Sequence, residues 1–191
     1  LTGSLAMDNA KSGDDLDLMI VTKSHTLWLT RLFIIPLFRI FFKTRFPQKQ
    51  QPQNNDAICL NLWLDTQSLT VPPSKQNLYI AHEVLQIKPI FNRGTTYEHF
   101  ILNNSWSSSY LANAYKSITL KFTPLPQDTN QDFFLSVFIR LLSLLNFLSF
   151  KLQYFYMKPK ITREYVTLHS AYFHPRDLSS KISRHLKQRY T

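Results

Sequence analysis

Two carboxylates separated by one residue, Asp15 and Asp17, stand at the head of the apolar run Leu18-Met19-Ile20-Val21. In a strand, side chains two apart project to the same side, so Asp15 and Asp17 share one face while Leu16 and Leu18 take the other. Like charges held side by side repel, and a fold keeps such a pair at the mouth of a buried strand mainly when a cation neutralises it. The cation this donor set favours is Mg²⁺, which is held by one or two carboxylates and completes its shell with water and substrate phosphates. Upstream, Gly3 fits a tight turn where backbone comes close to another group. Ser4 offers a hydroxyl and a backbone N–H to an anion. Lys11, in the intervening loop, brings positive charge toward the same place. One loop thus supplies phosphate donors and the next strand supplies the metal ligands.

Gly3-Ser4, a spacer and Asp15-Leu16-Asp17-Leu18 ahead of an apolar strand resemble the signature of the nucleotidyltransferase superfamily that includes DNA polymerase beta, in its minimal branch. The longer run TGSLAMDNAKSGDDLDLMIVT, with LWLTR, ICLNLWLD and YIAHEVLQIKP after it, is similar to an uncharacterised prokaryotic group of that superfamily. The resemblance implies a mixed α/β (α+β) fold, a nucleotidyltransferase-like sheet flanked by helices, with a helical C-terminal part. It also implies an NTP substrate whose phosphates meet Gly3 and Ser4, with Lys11 placed by its loop position to add charge against them. Asp15 and Asp17 would be the catalytic Mg²⁺ ligands, and a nucleotidyl group would pass to an acceptor hydroxyl or similar nucleophile.

The family carries a third carboxylate on a later strand, here Ile58 to Leu64. Strict alternation puts Cys59, Asn61 and Trp63 on one face, and the position of the acid falls on Asn61, a neutral amide that cannot act as a base. Asp56 or Asp65 takes that role only if the alignment is shifted. Two further readings therefore stand beside transfer: an inactive nucleotide-binding or regulatory module of the same fold, and a basic scaffold that contacts membrane or RNA.

Composition narrows the classes. The 191 residues, 44% hydrophobic, are enough to bury a core. Three glycines, with no GxGxxG or GxxxxGK[ST] run, exclude the glycine-rich dinucleotide and P-loop patterns. The single cysteine, Cys59, excludes a disulfide framework within the chain and a cysteine-built zinc site. A formal charge of +10 favours polyanions, whether nucleotides, nucleic acid or anionic lipid. Basic residues thicken at Lys181, Arg184, His185, Lys187 and Arg189, as a solvated helix or a polyanion-contacting surface. No signal-peptide pattern is visible, and the expected location is cytoplasmic. Leu1-Thr2 leads straight into the turn, so the chain reads as a piece of a longer protein whose first strand lies upstream.

Helical spacing marks Leu27 to Lys43, with Arg31, Arg39 and Lys43 on one wet face and a kink or break at Pro36. Packing against the sheet is the expected role, with peripheral membrane contact as the alternative. A second helix is expected over Lys75 to Ile87, with His82 and Glu83 on it, and a third begins at a Thr95/Glu98 capping box. Phe133 to Met157 is apolar enough to span a bilayer, but Arg140 lies eight residues inside it. A helix buried on most sides, or one that covers an upstream part of the protein, is expected there, with membrane insertion or surface binding and a protein-partner face as the alternatives; Ser136, Arg140 and Ser143 fall on its narrow polar face, with Asn146 beside it. The organisation read from these patterns is a core over 1–113, a linker over 114–132 and a helical C-terminal region over 133–191.

Overall fold

The computed structural model describes residues 1–11, 14–41, 44–45, 58–123, 133–162 and 164–173. The expectations for the loop after Arg45, Asp56, Lys43, Pro124 to Asp132, His174 and the basic tail fall outside these residues.

The apolar run after the acidic pair forms β1, Leu16–Thr22, and is followed by α2, Leu27–Phe41, and β3, Ile58–Asp65. β1 and β3 pair in parallel, so α2 lies in the crossover that parallel pairing requires. Ahead of β1 lies a single-turn α1, Gly3–Ala6. The two-residue β2, Thr44–Arg45, pairs in parallel with the start of β3. Late in the chain, β4, Tyr165–Val166, and β5, Ser170–Tyr172, turn back so that β5 pairs antiparallel with β3. The sheet is therefore mixed, with path β1-β3-β5-β4 and β2 joining β3 beside it.

Helices cover both faces. On one side Met19, Val21, Leu62, Leu64 and Tyr172 pack with α3, Leu78–Leu85, α4, Thr96–Asn103, and α5, Ser108–Thr119. On the other, Leu18, Ile20, Leu60, Trp63 and Ala171 pack with α2 and with α6, Phe133–Met157. Leu60 and Trp63 share a side although they are three apart, because β3 carries one extra residue: Asp17 pairs with Cys59 and Met19 with Leu62. This bulge breaks the alternation expected for Cys59, Asn61 and Trp63.

Several expectations are corrected. Among the described residues β1 lies at the edge of the sheet, half-buried over most of its length, and is not a fully buried strand. Helix α2 runs through Pro36 undivided. Arg31 faces inward, 8% exposed, with its guanidinium carbon 4.7 Å from the centre of the Phe173 ring and 5.5 Å from that of Trp28. Its Nη1 donates to Gln153 at 2.6 Å, while burial, and to a lesser degree the charge of Arg39, lowers its pKa to about 10. Aromatic faces and a neutral amide offset the burial of this cation.

The Thr95/Glu98 capping box does not form. Thr95 is left-handed at φ 52°, with no cap bond from its side chain, and Asn92 holds both Tyr97 N–H and Glu98. At α3 the cap is Asn77, whose side chain accepts from Ile80 N–H at 3.0 Å. The expected linker begins inside α5, whose Tyr115 and Ile118 pack on the core, as does Phe122 beyond it. The C-terminal region is helical over α6 and then supplies β4 and β5 to the main sheet. Helix α6 is mostly exposed: only 11% of its apolar window, within Val137–Lys160, is buried. Asn146, expected beside the narrow polar face, is 1% exposed and faces inward.

Candidate functional site

The amino-terminal segment folds back on the start of β1. Thr2 N–H donates to Asp17 O at 2.9 Å, and the Thr2 hydroxyl donates to the same oxygen at 3.3 Å. This fixes Gly3 directly over the Asp17 side chain. A Cβ at Gly3 would stand 2.3 Å from Asp17 Oδ2, and the glycine lies at φ +70°, in the left-handed region. Both facts demand glycine there. Gly3 and Asp17, fourteen positions apart in sequence, thus form one site.

Asp17 continues the parity of Met19 and Val21 and so faces the α3 side of the sheet. Across the β3 bulge, Asn61 Nδ2 donates to Asp17 Oδ1 at 2.5 Å. A bulge re-aims a side chain, and here it turns an amide onto the carboxylate. On α3, the pKa of Tyr79 is pushed up by burial first, by Glu83 next and lastly by the charge of Asp17. The Tyr79 hydroxyl donates to Glu83 Oε1 at 2.7 Å. Burial raises the Glu83 carboxyl, against the pull of that hydrogen bond.

The loop between α1 and β1 is organised by Asp14, an acid given no separate role in the sequence reading. Lys11 N–H donates to Asp14 Oδ2 at 2.9 Å. That bond, followed by one from the Ser4 side chain, lowers the Asp14 pKa. The Ser4 side chain is thus turned toward Asp14. The Lys11 side chain is exposed, and Asp15 is partly exposed. Lys88, beyond α3, reaches the same loop through Asp8 at 2.6 Å and holds the start of the chain through a backbone bond to Leu1.

Asp65 does not belong to this site. It pairs with Thr22 at the far end of β1, is fully buried, and meets His169 Nδ1 at 2.7 Å. Among the described residues no group of three or more His, Cys, Asp or Glu side chains is arranged to hold a metal. Asp15 and Asp17 can supply two carboxylates, which suits Mg²⁺ when phosphates complete the shell. Sequence reading brought Gly3 and Asp17 to one place and named Asn61 as the neutral residue. Glu83 was placed on α3 but given no role and Tyr79 was not singled out; their signal was an i, i+4 spacing on a helix that also carries His82.

The chain matches no family model, no curated protein and no solved structure at a significant level.

Proposed function

We propose that this site binds a nucleoside triphosphate with a divalent cation and transfers a nucleotidyl group to an acceptor hydroxyl or similar nucleophile. The observation that carries the reading is the apposition of Gly3 and Asp17, a glycine that no side chain could replace set against a carboxylate at a strand mouth. Backbone N–H groups of the turn would receive phosphate oxygens, and Asp15 and Asp17 would hold Mg²⁺. When bound, the ion supplies charge neutralisation and alignment of the phosphates for in-line attack. Lys11 stands in the loop where it can add to that neutralisation.

A second reading has its own support. Asn61 donates to Asp17 where the resemblance calls for an acid, and a neutral amide cannot take a proton from an acceptor. A nucleotide-binding or regulatory module of the same fold needs no such base.

The test is calorimetric titration of the whole chain with ATP, CTP, GTP and UTP, in Mg²⁺ and then in EDTA, repeated on Asp15→Asn and Asp17→Asn. Both readings expect binding that needs the metal and both carboxylates. Radiolabel transfer from the bound nucleotide to an acceptor then selects the first, and its absence with binding intact selects the second. No nucleotide binding by folded protein would sink both.

A further inference from the structure

On the face of the sheet opposite Asp17, α2 and α6 carry many exposed apolar side chains. Helix α6 uses one stripe to bind the core: Asn146, Ser149, Phe150, Gln153 and Met157 face inward. Its opposite stripe, Leu141, Leu145, Leu148, Leu152 and Phe155, recurs at spacings of four and three and is exposed, Leu148 by 54% and Phe155 by 82%. On α2, Phe33, Ile40 and Phe41 are exposed as well. Exposed apolar side chains in such number on two helices that pack together mark an interaction surface.

Charge identifies the occupant. Neither α2 nor α6, nor the turn Lys158–Lys160 after it, contains an aspartate or glutamate, while Arg39, Arg140, Lys151, Lys158 and Lys160 are all present there. Helical geometry places Arg140 and Lys151, eleven residues apart, along one border of the apolar stripe. Lys151 Nζ lies 5.3 Å from the centre of the Phe147 ring, and Lys160 Nζ lies 4.1 Å from that of Tyr156. The Lys160 ammonium also donates to the Tyr156 hydroxyl at 2.9 Å, and exposed lysines held beside aromatic rings at the edge of an apolar stripe are suited to a lipid headgroup layer. Lysine is depleted at protein–protein interfaces, so a protein partner fits this border less well.

We propose that the α2–α6 face lies on the surface of an anionic lipid bilayer, independently of the nucleotide reading. The same contacts set its depth. Asn146 Oδ1 accepts Trp28 N–H at 2.7 Å and Leu29 N–H at 3.2 Å, and Gln153 Nε2 donates to Trp28 O at 2.8 Å. To span the bilayer, α6 would have to leave these buried groups unpaired and carry them into hydrocarbon. The helix therefore binds in the interface plane while still fastened to α2.

The test is flotation of the whole chain with vesicles of phosphatidylcholine alone and of phosphatidylcholine with about 30% phosphatidylglycerol. Expected are at least about tenfold stronger binding to the anionic vesicles, weakening as salt is raised, and release of vesicle-bound protein at alkaline pH. The double substitution Leu148→Glu, Phe155→Glu, at exposed positions, should leave the circular dichroism and melting temperature unchanged and reduce vesicle binding by about tenfold or more. Failure of the folded wild type to bind anionic vesicles, or equal binding by the double variant, would overturn the proposal. Retention at alkaline pH would also overturn it in favour of a spanning helix. Sedimentation velocity covers the remaining case: self-association abolished by the double substitution, without vesicle binding, would assign the face to a second copy of the chain.

Discussion

The Asn61 amide donates to the Asp17 carboxylate across the bulge that offsets β3 from β1. Asn61 thereby does part of what a cation would do, holding one carboxylate oxygen in place without adding negative charge. Asn61→Asp replaces that bond with a like-charge contact. The variant should lose about 1–3 kcal/mol of stability in EDTA. It should regain more on addition of Mg²⁺ than the wild type does, because three carboxylates attract the ion more strongly than two. Thermal melts with and without Mg²⁺ measure both effects. A variant whose melting ignores Mg²⁺ would remove the metal from this site.

Gly3 provides the second test. Gly3→Ala places a Cβ 2.3 Å from Asp17 Oδ2 and confines a non-glycine residue to φ +70°. The backbone strain alone costs about 1–2 kcal/mol. Gly94 is the control: its φ is +58° and an added Cβ there meets nothing within 4 Å. Gly94→Ala should carry the strain without the contact. Only Gly3→Ala should weaken Mg²⁺-dependent nucleotide binding, by about tenfold or more, and equal losses in both variants would sink the role given to Gly3.

What the sequence disclosed was local. Asp15, Asp17 and the apolar run behind them are contiguous, so strand period and charge repulsion suffice to place a cation-seeking pair at a strand mouth. Gly3 was legible because a close approach leaves glycine as its only trace. The Asn61 contact was half legible: the residue could be named, but the bulge that aims it is an extra residue in a pairing that no single strand reveals. Arg31 and Asn146 were misread for the opposite reason. Each is polar within an apolar helix and was grouped with a polar face, Arg31 on the wet side of α2 and Asn146 beside Ser136, Arg140 and Ser143, yet each finds its partner on the other helix, 122 and 118 residues away in sequence. Tertiary partners of buried polar groups leave no period.

Glu83 links the site to pH. Burial raises its carboxyl above the ordinary value of 4.5. The folded protein then holds this proton more tightly than the unfolded chain does. Its contribution to stability is full below pH 4.5 and is lost as pH rises through the folded-state pKa. Glu83→Gln keeps an acceptor for the Tyr79 hydroxyl and cannot ionise. Urea denaturation should find the two proteins alike below pH 4.5 and the variant more stable at neutral pH, by on the order of 1 kcal/mol. A variant less stable than the wild type at neutral pH would show that the ionised carboxylate is stabilised in the fold.

Asn146 decides whether α6 is a structural part of the fold or only rests against it. Its Oδ1 accepts the N–H groups of Trp28 and Leu29, two of the donors that the first turn of α2 cannot satisfy within the helix. The residue is buried, so water cannot replace it. Asn146→Ala should therefore cost about 2–3 kcal/mol, more than the loss of an exposed cap. Asn146→Asp keeps the acceptor and sets a negative charge at a helix N-terminus, where it is favoured. Urea midpoints should fall clearly for Asn146→Ala and recover by more than half for Asn146→Asp. If the aspartate variant is as unstable as the alanine variant, the side chain acts through packing and the capping account of the α2–α6 joint is wrong.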